Sequence, residues 1–389
     1  MKLLTFSTLY PNAVTPHHGI FVENRLRHLL ANSQVQSKVV APVPWFPFGA
    51  KMFGEYGDFA RVPKAETRHG ITIEHPNYLV VPKIGTNWTP STMAAAALPV
   101  IKRIIADGYD FDIMDAHYFY PDGVAAVKIA QALNKPVTIT ARGTDLNLMP
   151  QYEKPRAMIQ FAAKEASAMV TVCQALKDSL VDLGVAEERI EVLRNGVDLD
   201  AFSPPGNRDD LRSALGIHGK TILSVGHLVE RKGHHLVIEA LQLMSDVKLL
   251  IAGQGPEHKR LKQLTGDLGV EHRVHFLGLL SQDVLSKYYG AVDMLVLASS
   301  REGWANVLLE SMACGTPVVA TSIWGTPEVV AAPEAGVLVE KRTAESIAEG
   351  INNLYANLPG KILTRRYAEK FSWDDTSLGL LKLFHKVMG

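Results

Sequence analysis

Short β-branched runs alternate with helical patterns from the first residue, and after one Pro- and Gly-rich break the alternation starts again. The first series runs KLLTFST, FVENRLRHLLAN, SKVVAPV, FDIMDAH, GVAAVKIAQALN, PVTITAR, AMVTVC, QALKDSLVDLG and IEVLRNG. The second runs TILSVG, HHLVIEALQLM, VKLLIAG, HKRLKQLTGDLG, VHFLG, LSKYYGAVD, MLVLAS, NVLLESMAC and PVVAT. Strands that alternate with helices at this pace form βαβ units, because parallel neighbours need a crossover long enough to hold a helix. The break at 203–207 is the natural linker. The chain has 389 residues, which at roughly 100–200 residues per domain fits two. The expected architecture is α/β, with two doubly wound Rossmann-like domains, 1–200 and 201–365, facing a central cleft. The helices of 366–389 can cap either domain, including by crossing back to the first.

Charge then narrows the partners. Forty Lys and Arg balance forty Asp and Glu, so nothing draws a polyanion by bulk attraction, and nucleic acid is not an expected partner. The first hundred residues are less even, with nine Lys and Arg against five Asp and Glu. The irregular stretch 44–90 interleaves Lys51, Arg61, Lys64 and Arg68 with Trp45, Phe46, Phe48, Phe53 and Tyr56. That mixture reads either as local core or as a peripheral contact with an anionic membrane. No run reaches the 18 or so apolar residues of a membrane span, and the N-terminus lacks the pattern of a signal peptide. Cys173 and Cys314 stand far apart, with no CxxC or Cys/His cluster, so neither a disulfide framework nor a metal site is indicated. A cytoplasmic chain follows, with the inner face of the membrane as an additional place of work.

The chemistry concentrates in 302–321, REGWANVLLESMACGTPVVAT without its leading Arg. It reads as a loop with Glu302 and Gly303, a helix from about Ala305 to Ala313, a stop at Gly315 and a new strand. A helix start offers unpaired amides and the positive end of the helix dipole, which suits a phosphate; Ala305, Asn306 and Val307 supply those amides. Glu302 and Glu310 would repel a phosphate, so they are expected to hold the hydroxyls of flanking sugars. In the first half, Gly19 sits where a loop enters a helix, either as a plain turn or as a point of close approach to a phosphate. His117 ends the run FDIMDAH, at a carboxyl-terminal strand edge where open α/β sheets bind ligands.

These motifs together, HGIFVENR, DAHYFYPDG, ARGTD, RNGVD, GHLVERKG, IAGQGPE and the block from Glu302, resemble the retaining nucleotide-sugar glycosyltransferases of family 4, which have the GT-B fold. The likeness extends to the branch acting in bacterial surface polysaccharide synthesis. It implies a retaining, metal-independent hexosyltransferase that carries sugar from a nucleoside diphosphate donor, UDP-sugar favoured, to a glycan or lipid-linked acceptor, with no cofactor. It also implies catalytic roles for Lys232, Glu302 and His117, with Lys232 on the diphosphate, Glu302 on the donor sugar and Glu310 on the ribose. Gly19, His227, Gly303, Trp304, Ala305, Asn306 and Val307 complete the implied donor site, and Arg142 and Asp145 the acceptor site.

The chain departs from the family pattern in places. His227 stands where the family has an Arg on the diphosphate, and a neutral His is a weaker phosphate partner than a guanidinium fork. Arg231, next to Lys232, is expected to point elsewhere. Arg142 replaces a family His; it either meets an anionic group of the acceptor or pairs with Asp145 to hold its loop. Asp110-Phe111-Asp112 mimics the metal-binding D-x-D of GT-A enzymes, but at the entry of a strand, away from the crevice mouth. Two other functions stay open: a nucleotide-sugar epimerase of the same fold, and a non-catalytic nucleotide-sugar-binding subunit, which His227 would favour.

Overall fold

The computed structural model describes residues 1–45, 55–80 and 87–389, and the chain divides into two compact units. The first unit holds Met1–Arg194 together with Asp374–Gly389, the second Asn195–Trp373.

In the first unit the strands are β1 (Lys2–Phe6), β2 (Gln36–Val40), β3 (Val43–Pro44), β4 (Ala65–Arg68), β5 (Ile71–Glu74), β6 (Asn77–Tyr78), β7 (Ile113–His117), β8 (Val137–Ala141), β9 (Ala168–Thr171) and β10 (Ile190–Val192). Eight of them form one sheet in the order β10-β9-β8-β7-β1-β2-β5-β4, and β3 pairs separately with β6. Among the described residues only the edge pair β4–β5 is antiparallel. Every residue of β7, β8 and β9 is buried, as a parallel sheet covered on both faces requires. The strand order reverses at β1, which pairs with β2 on one side and β7 on the other.

One face packs Leu3, Val22, Leu26, Val39, Ile113 and Val170 against Leu380, Leu383 and Phe384 of the last helix, Trp373–Met388. Burial of those three helix side chains contributes roughly 5–9 kcal/mol as an upper bound, which explains why the chain's end belongs to the first unit. Gly379 permits the approach, since a Cβ there would lie 2.4 Å from Leu193 Cδ2.

The second unit contains β11 (Lys220–Val225), β12 (Val247–Ala252), β13 (Val274–Gly278), β14 (Met294–Leu297), β15 (Val318–Thr321) and β16 (Gly336–Val339). They form a parallel sheet in the order β13-β12-β11-β14-β15-β16, which reverses between β11 and β14. Ile222, Leu249, Ile251, Met294 and Val296 line its core with Val237, Ile238 and Ile351 from the helices. Both units are therefore doubly wound.

The first boundary lies earlier than the Pro- and Gly-rich break. Asn195 to Val197 are tied into the second unit, because the Val197 amide donates to Phe371 O at 2.9 Å and Gly196 lies against Ser372 and Trp373. The break itself starts a helix, Arg208–Ala214, whose first amides at Asp209 and Asp210 donate to the Asn207 side chain. The helix Lys361–Ala368 stays with the second unit, and the chain leaves it only after Trp373.

Candidate active site

In open α/β sheets ligands bind beyond the carboxyl ends of the strands where the order reverses. In the second unit that point is shared by the loops following β11 and β14. Glycine brings the loops together. Gly233, at φ 72°, sits so close to Ala298 that a Cβ would lie 2.0 Å from its carbonyl oxygen, and the Lys232 stem lies over Gly226, whose Cβ would be 3.3 Å from Cδ and Cε.

Lys232 Nζ thereby donates to Glu302 Oε1 at 2.6 Å. The same oxygen accepts from Ser299 Oγ at 2.7 Å, and Arg231 Nη1 lies 3.6 Å from it. Arg231 also donates to the Arg301 carbonyl at 2.7 Å. The expectation that Arg231 points elsewhere is thus corrected: the loop after β14 folds back and places Glu302 before both cations. Burial pushes the Glu302 carboxyl up, but the charge and hydrogen bond of Lys232, then Arg231 and Ser299, hold it below the usual range.

Glu310, one turn into the helix Asn306–Ala313, is half-buried and accepts from Tyr289 OH at 3.1 Å. Burial raises its pKa to about 7, against the hydrogen bond from Tyr289. The helix begins after Ala305 with no side-chain cap, and Gly315, at φ 78°, ends it. Gly303, Trp304 and Ala305 are buried and Asn306 and Val307 half-buried. One of the three amides expected for a phosphate has an internal acceptor, since Asn306 N–H donates to Trp304 O at 3.1 Å. The Asn306 side chain accepts from Asn195 Nδ2 at 3.2 Å, a link from the RNGVD motif to this helix that the sequence does not announce. His227 is exposed at the tip of the loop after β11.

The first unit builds a different cluster at its own reversal. His117, 2% exposed, places Nε2 3.1 Å from Asp115 Oδ2, and its Nδ1 meets Arg142 Nη2. Burial, against the pull of Asp115, lowers its pKa to about 4. The imidazole is then neutral, with its proton on Nε2 toward Asp115 and its lone pair on Nδ1 toward Arg142. Both ring nitrogens have partners inside the unit, a constraint on His117 that the sequence reading of a group presented to the donor sugar did not include.

Asp145 is likewise engaged within the unit. It is fully buried, and its carboxylate accepts from the amides of Phe119 (2.8 Å), Gly143 (2.7 Å) and Arg142 (3.1 Å). It holds the loop through the backbone. Arg142, 8% exposed, stacks on Phe21 at 5.4 Å from the ring centroid. Gly19, at φ 55°, passes so close to Leu9 that a Cβ would meet its carbonyl oxygen at 1.9 Å, so the turn itself requires glycine.

One member of this cluster went unnoticed in the sequence. Arg25 lies on the buried face of the helix Ile20–Ala31, beside Val22, Leu26 and Leu29. An Arg three residues from Val22 and four from Leu29, on an apolar stripe, is the signal that could have found it.

The D-x-D carboxylates stand at the entry of β7. Asp110 pairs with Lys135 at 2.7 Å, and Asp112 accepts from the Lys2 amide at 2.7 Å. Among the described residues no group of three His, Cys, Asp or Glu side chains is placed to hold a metal, and no helix is long and apolar enough to cross a membrane. Trp45 is exposed, as are Leu79 and Trp88; Phe46, Phe48, Phe53 and the Tyr56 side chain lie outside the described residues.

Two doubly wound units, the second with a lysine–carboxylate pair and an uncapped helix start at its reversal point, define a glycosyltransferase of the GT-B fold. The family description "Glycosyltransferase Family 4" matches residues 26–201, and "Glycosyl transferases group 1" matches 207–370. The chain belongs to this glycosyltransferase family. It is 27% identical over 362 residues to the putative teichuronic acid biosynthesis glycosyltransferase TuaC of Bacillus subtilis, covering 90% of this chain and 88% of the relative. Among solved structures, sucrose-phosphate synthase from Thermosynechococcus elongatus superposes with a TM-score of 0.80 at 17% identity, over 100% of this chain and 99% of that one. The Anabaena protein HepE, solved in complex with UDP and glucose, superposes with a TM-score of 0.76 at 19% identity, over 99% of this chain and 100% of that one.

Proposed function

We propose that this glycosyltransferase moves a hexosyl unit from a nucleoside diphosphate sugar, with UDP as the favoured carrier, to an acceptor hydroxyl with retention at the anomeric carbon. The observation that carries the reading is the Lys232–Glu302 pair at the reversal point of the second unit, backed by Arg231 and by the uncapped start of the helix Asn306–Ala313. A diphosphate there draws on Lys232, Arg231 and the helix end, while Glu302, kept ionised, accepts from sugar hydroxyls and Glu310 from the ribose. Crystallisation of HepE with UDP and glucose agrees with such a donor.

In the proposed step the bond from the anomeric carbon to the β-phosphate oxygen breaks, and a bond to the acceptor oxygen forms on the same face. The acceptor's proton passes to the departing phosphate oxygen. The chain's part is positioning and stabilisation of the leaving charge, with no metal or cofactor required. The acceptor is a growing glycan or lipid-linked saccharide in surface polysaccharide assembly, a reading supported by the likeness to TuaC. The chain would work in the cytoplasm, meeting an anionic membrane at its inner face through exposed Trp45, Leu79 and Trp88.

The test is a panel of UDP-, GDP- and ADP-sugars offered to the full chain, with products read by mass spectrometry and anomeric configuration by NMR. Retention at the transferred sugar, and loss of transfer in Lys232→Ala, are the expected results. Inversion, or formation of a donor isomer with no acceptor present, would overturn the reading.

A further inference from the structure

Tyr289 is fully buried near the end of the helix Gln282–Ala291, and its hydroxyl donates to Glu310 Oε2 at 3.1 Å. The ring has little freedom. Its own carbonyl accepts from Thr316 Oγ1 at 2.7 Å, and Phe202 stands tilted against the ring at 6.1 Å between centroids. The next residue, Gly290, packs so close to Pro205 that a Cβ would lie 2.8 Å from Cδ. Burial, and then the Glu310 carboxylate, hold the phenol far above its usual range, so it keeps its proton and acts as a donor.

Glu310 depends on that donor. It is half-buried, and among the described residues no other hydrogen bond reaches its carboxylate. Burial raises its pKa to about 7, and the hydrogen bond from Tyr289 works against that rise. A glutamate on a helix otherwise samples several rotamers. The bond restricts them and occupies Oε2, so Oε1 is the oxygen left for a ligand, one turn inside the helix Asn306–Ala313.

We propose that Tyr289 is a positioning residue of the donor site: by holding Oε2 it presents Glu310 Oε1 to the ribose hydroxyls, and so sets how strongly the enzyme distinguishes a ribonucleoside diphosphate from its deoxy forms. The inference rests on the donor reading above, in which Glu310 receives the ribose, and adds the side chain that orients it.

The experiment is titration calorimetry of the full chain with UDP, 2′-deoxy-UDP and 3′-deoxy-UDP, in the wild type, Tyr289→Phe, Glu310→Ala and the double variant. The wild type should bind UDP about tenfold more tightly than at least one deoxy form, the effect of one hydrogen bond to a charged group. Glu310→Ala should lose that preference, and Tyr289→Phe should shrink it to about threefold or less. With Glu310→Ala already in place, Tyr289→Phe should change UDP affinity by less than about twofold, because no carboxylate remains for the phenol to act through.

The pH profile gives a readout that packing alone would not move. UDP affinity should rise through a midpoint at about 7 in the wild type. In Tyr289→Phe the midpoint should move up by about one unit, since the lost bond favoured the charged form, and UDP should bind up to about fivefold more weakly at pH 7. Cys314, pushed up to about 11 by burial, and the Tyr289 phenol both stay neutral across that range. The helix Lys361–Ala368 packs on the Glu310 helix and brings Arg365, which donates to the Ala313 carbonyl at 2.8 Å, and Lys361, lowered by burial to about 8. A step that belongs to Lys361 would persist in Glu310→Ala.

Full discrimination and an unmoved midpoint in Tyr289→Phe, with both lost in Glu310→Ala, would make Tyr289 a packing group and overturn the inference while the donor reading stands. A double variant that binds UDP clearly more weakly than Glu310→Ala would overturn it as well. Should the wild type bind UDP no better than either deoxy form, or not at all, Glu310 does not receive the ribose, and the donor reading falls together with the inference. If Tyr289→Phe alone fails to fold, the comparison of the double variant with Glu310→Ala decides.

Discussion

The two units place charge at the same topological point and treat it in opposite ways. In the second, the cation is on the long stem of Lys232, already paired with an ionised Glu302 and backed by Arg231. In the first, two guanidiniums are buried, one locked by a neutral His117 and one with no acceptor. A paired, part-exposed lysine can exchange its carboxylate for a passing diphosphate at little cost, which suits a group that must be bound and released in each cycle. Buried guanidiniums cannot rearrange so cheaply, since each move leaves a charge without solvent or partner. On the proposed reading, the second unit's pair is the one that meets the donor, while the first unit's buried charges hold their own fold, although both grow from one βαβ plan.

The most severe break of that contrast is Lys232→Ala. Removing the side chain that links the loop after β11 to Glu302 by a hydrogen bond should lower kcat by about 10²–10³-fold, the usual cost of deleting one donor to a developing oxyanion. Circular dichroism should be unchanged, because the residue is part of a surface turn. Steady-state transfer assays check this, and near-normal turnover would remove Lys232 from the reaction.

Asp145→Ala tests the first unit, where the expected loss is stability. Three buried amides lose their acceptor together, at about 1–3 kcal/mol each and not fully additive, so unfolding of that unit should move down by roughly 6–12 °C. Calorimetry would show it. Asp145→Asn, which keeps one acceptor oxygen, should recover part of the loss.

Gly233→Ala sharpens the contrast from the other side. Its Cβ would lie 2.0 Å from the Ala298 carbonyl at a φ of 72°, so the loops after β11 and β14 must part. The cost should be about 1–3 kcal/mol, and it should appear as weaker donor binding in titration calorimetry with UDP. Binding as tight as in the wild type would mean that the junction is not part of the donor site.

What was legible in the sequence follows from these same features. Parallel strands covered on both faces leave continuous apolar runs, so MLVL and VVAT could be read directly as β14 and β15. The E-x7-E spacing and the Gly315 stop likewise marked the helix Asn306–Ala313 to within one residue. Side-chain partners across long sequence distances were not legible. Arg231 meets Glu302 only because a loop 70 residues on folds beside it. His117 looked like a ligand-facing strand end, and only the buried neighbours Asp115 and Arg142 show that its nitrogens are taken. The boundary after Arg194 was hidden for a similar reason, since Asn195 and Val197 declare their unit through Asn306 and Phe371.

A milder test concerns pH. Burial raises the Glu310 pKa to about 7, so in the free enzyme its ionised fraction grows from roughly one-tenth at pH 6 to nine-tenths at pH 8. Hydroxyls donate to a carboxylate more strongly than to a neutral acid, so donor affinity should rise up to about ninefold over that interval and level off above it. The folded-state penalty runs the other way: the raised pKa means that stability is lost as pH climbs through about 7. Glu310→Gln should flatten both trends, which UDP titrations and melting curves at several pH values will show.

The smallest expected effect is none. Asp110 pairs with Lys135 on the surface, and the Asp112 carboxylate accepts from the Lys2 amide at the entry of β7. An exposed pair of that kind is worth about 0–1 kcal/mol, and the entry of a strand lies at the opposite end from the reversal-point loops where both charge clusters are built. Asp110→Ala should therefore leave transfer unchanged and move Tm by no more than a degree or two, and addition of a chelator should not slow the wild type. A chelator-sensitive reaction, rescued by a divalent cation and abolished in Asp110→Ala, would mean that a metal carries the leaving charge assigned to Lys232. The donor role proposed for the second unit's lysine would then fail.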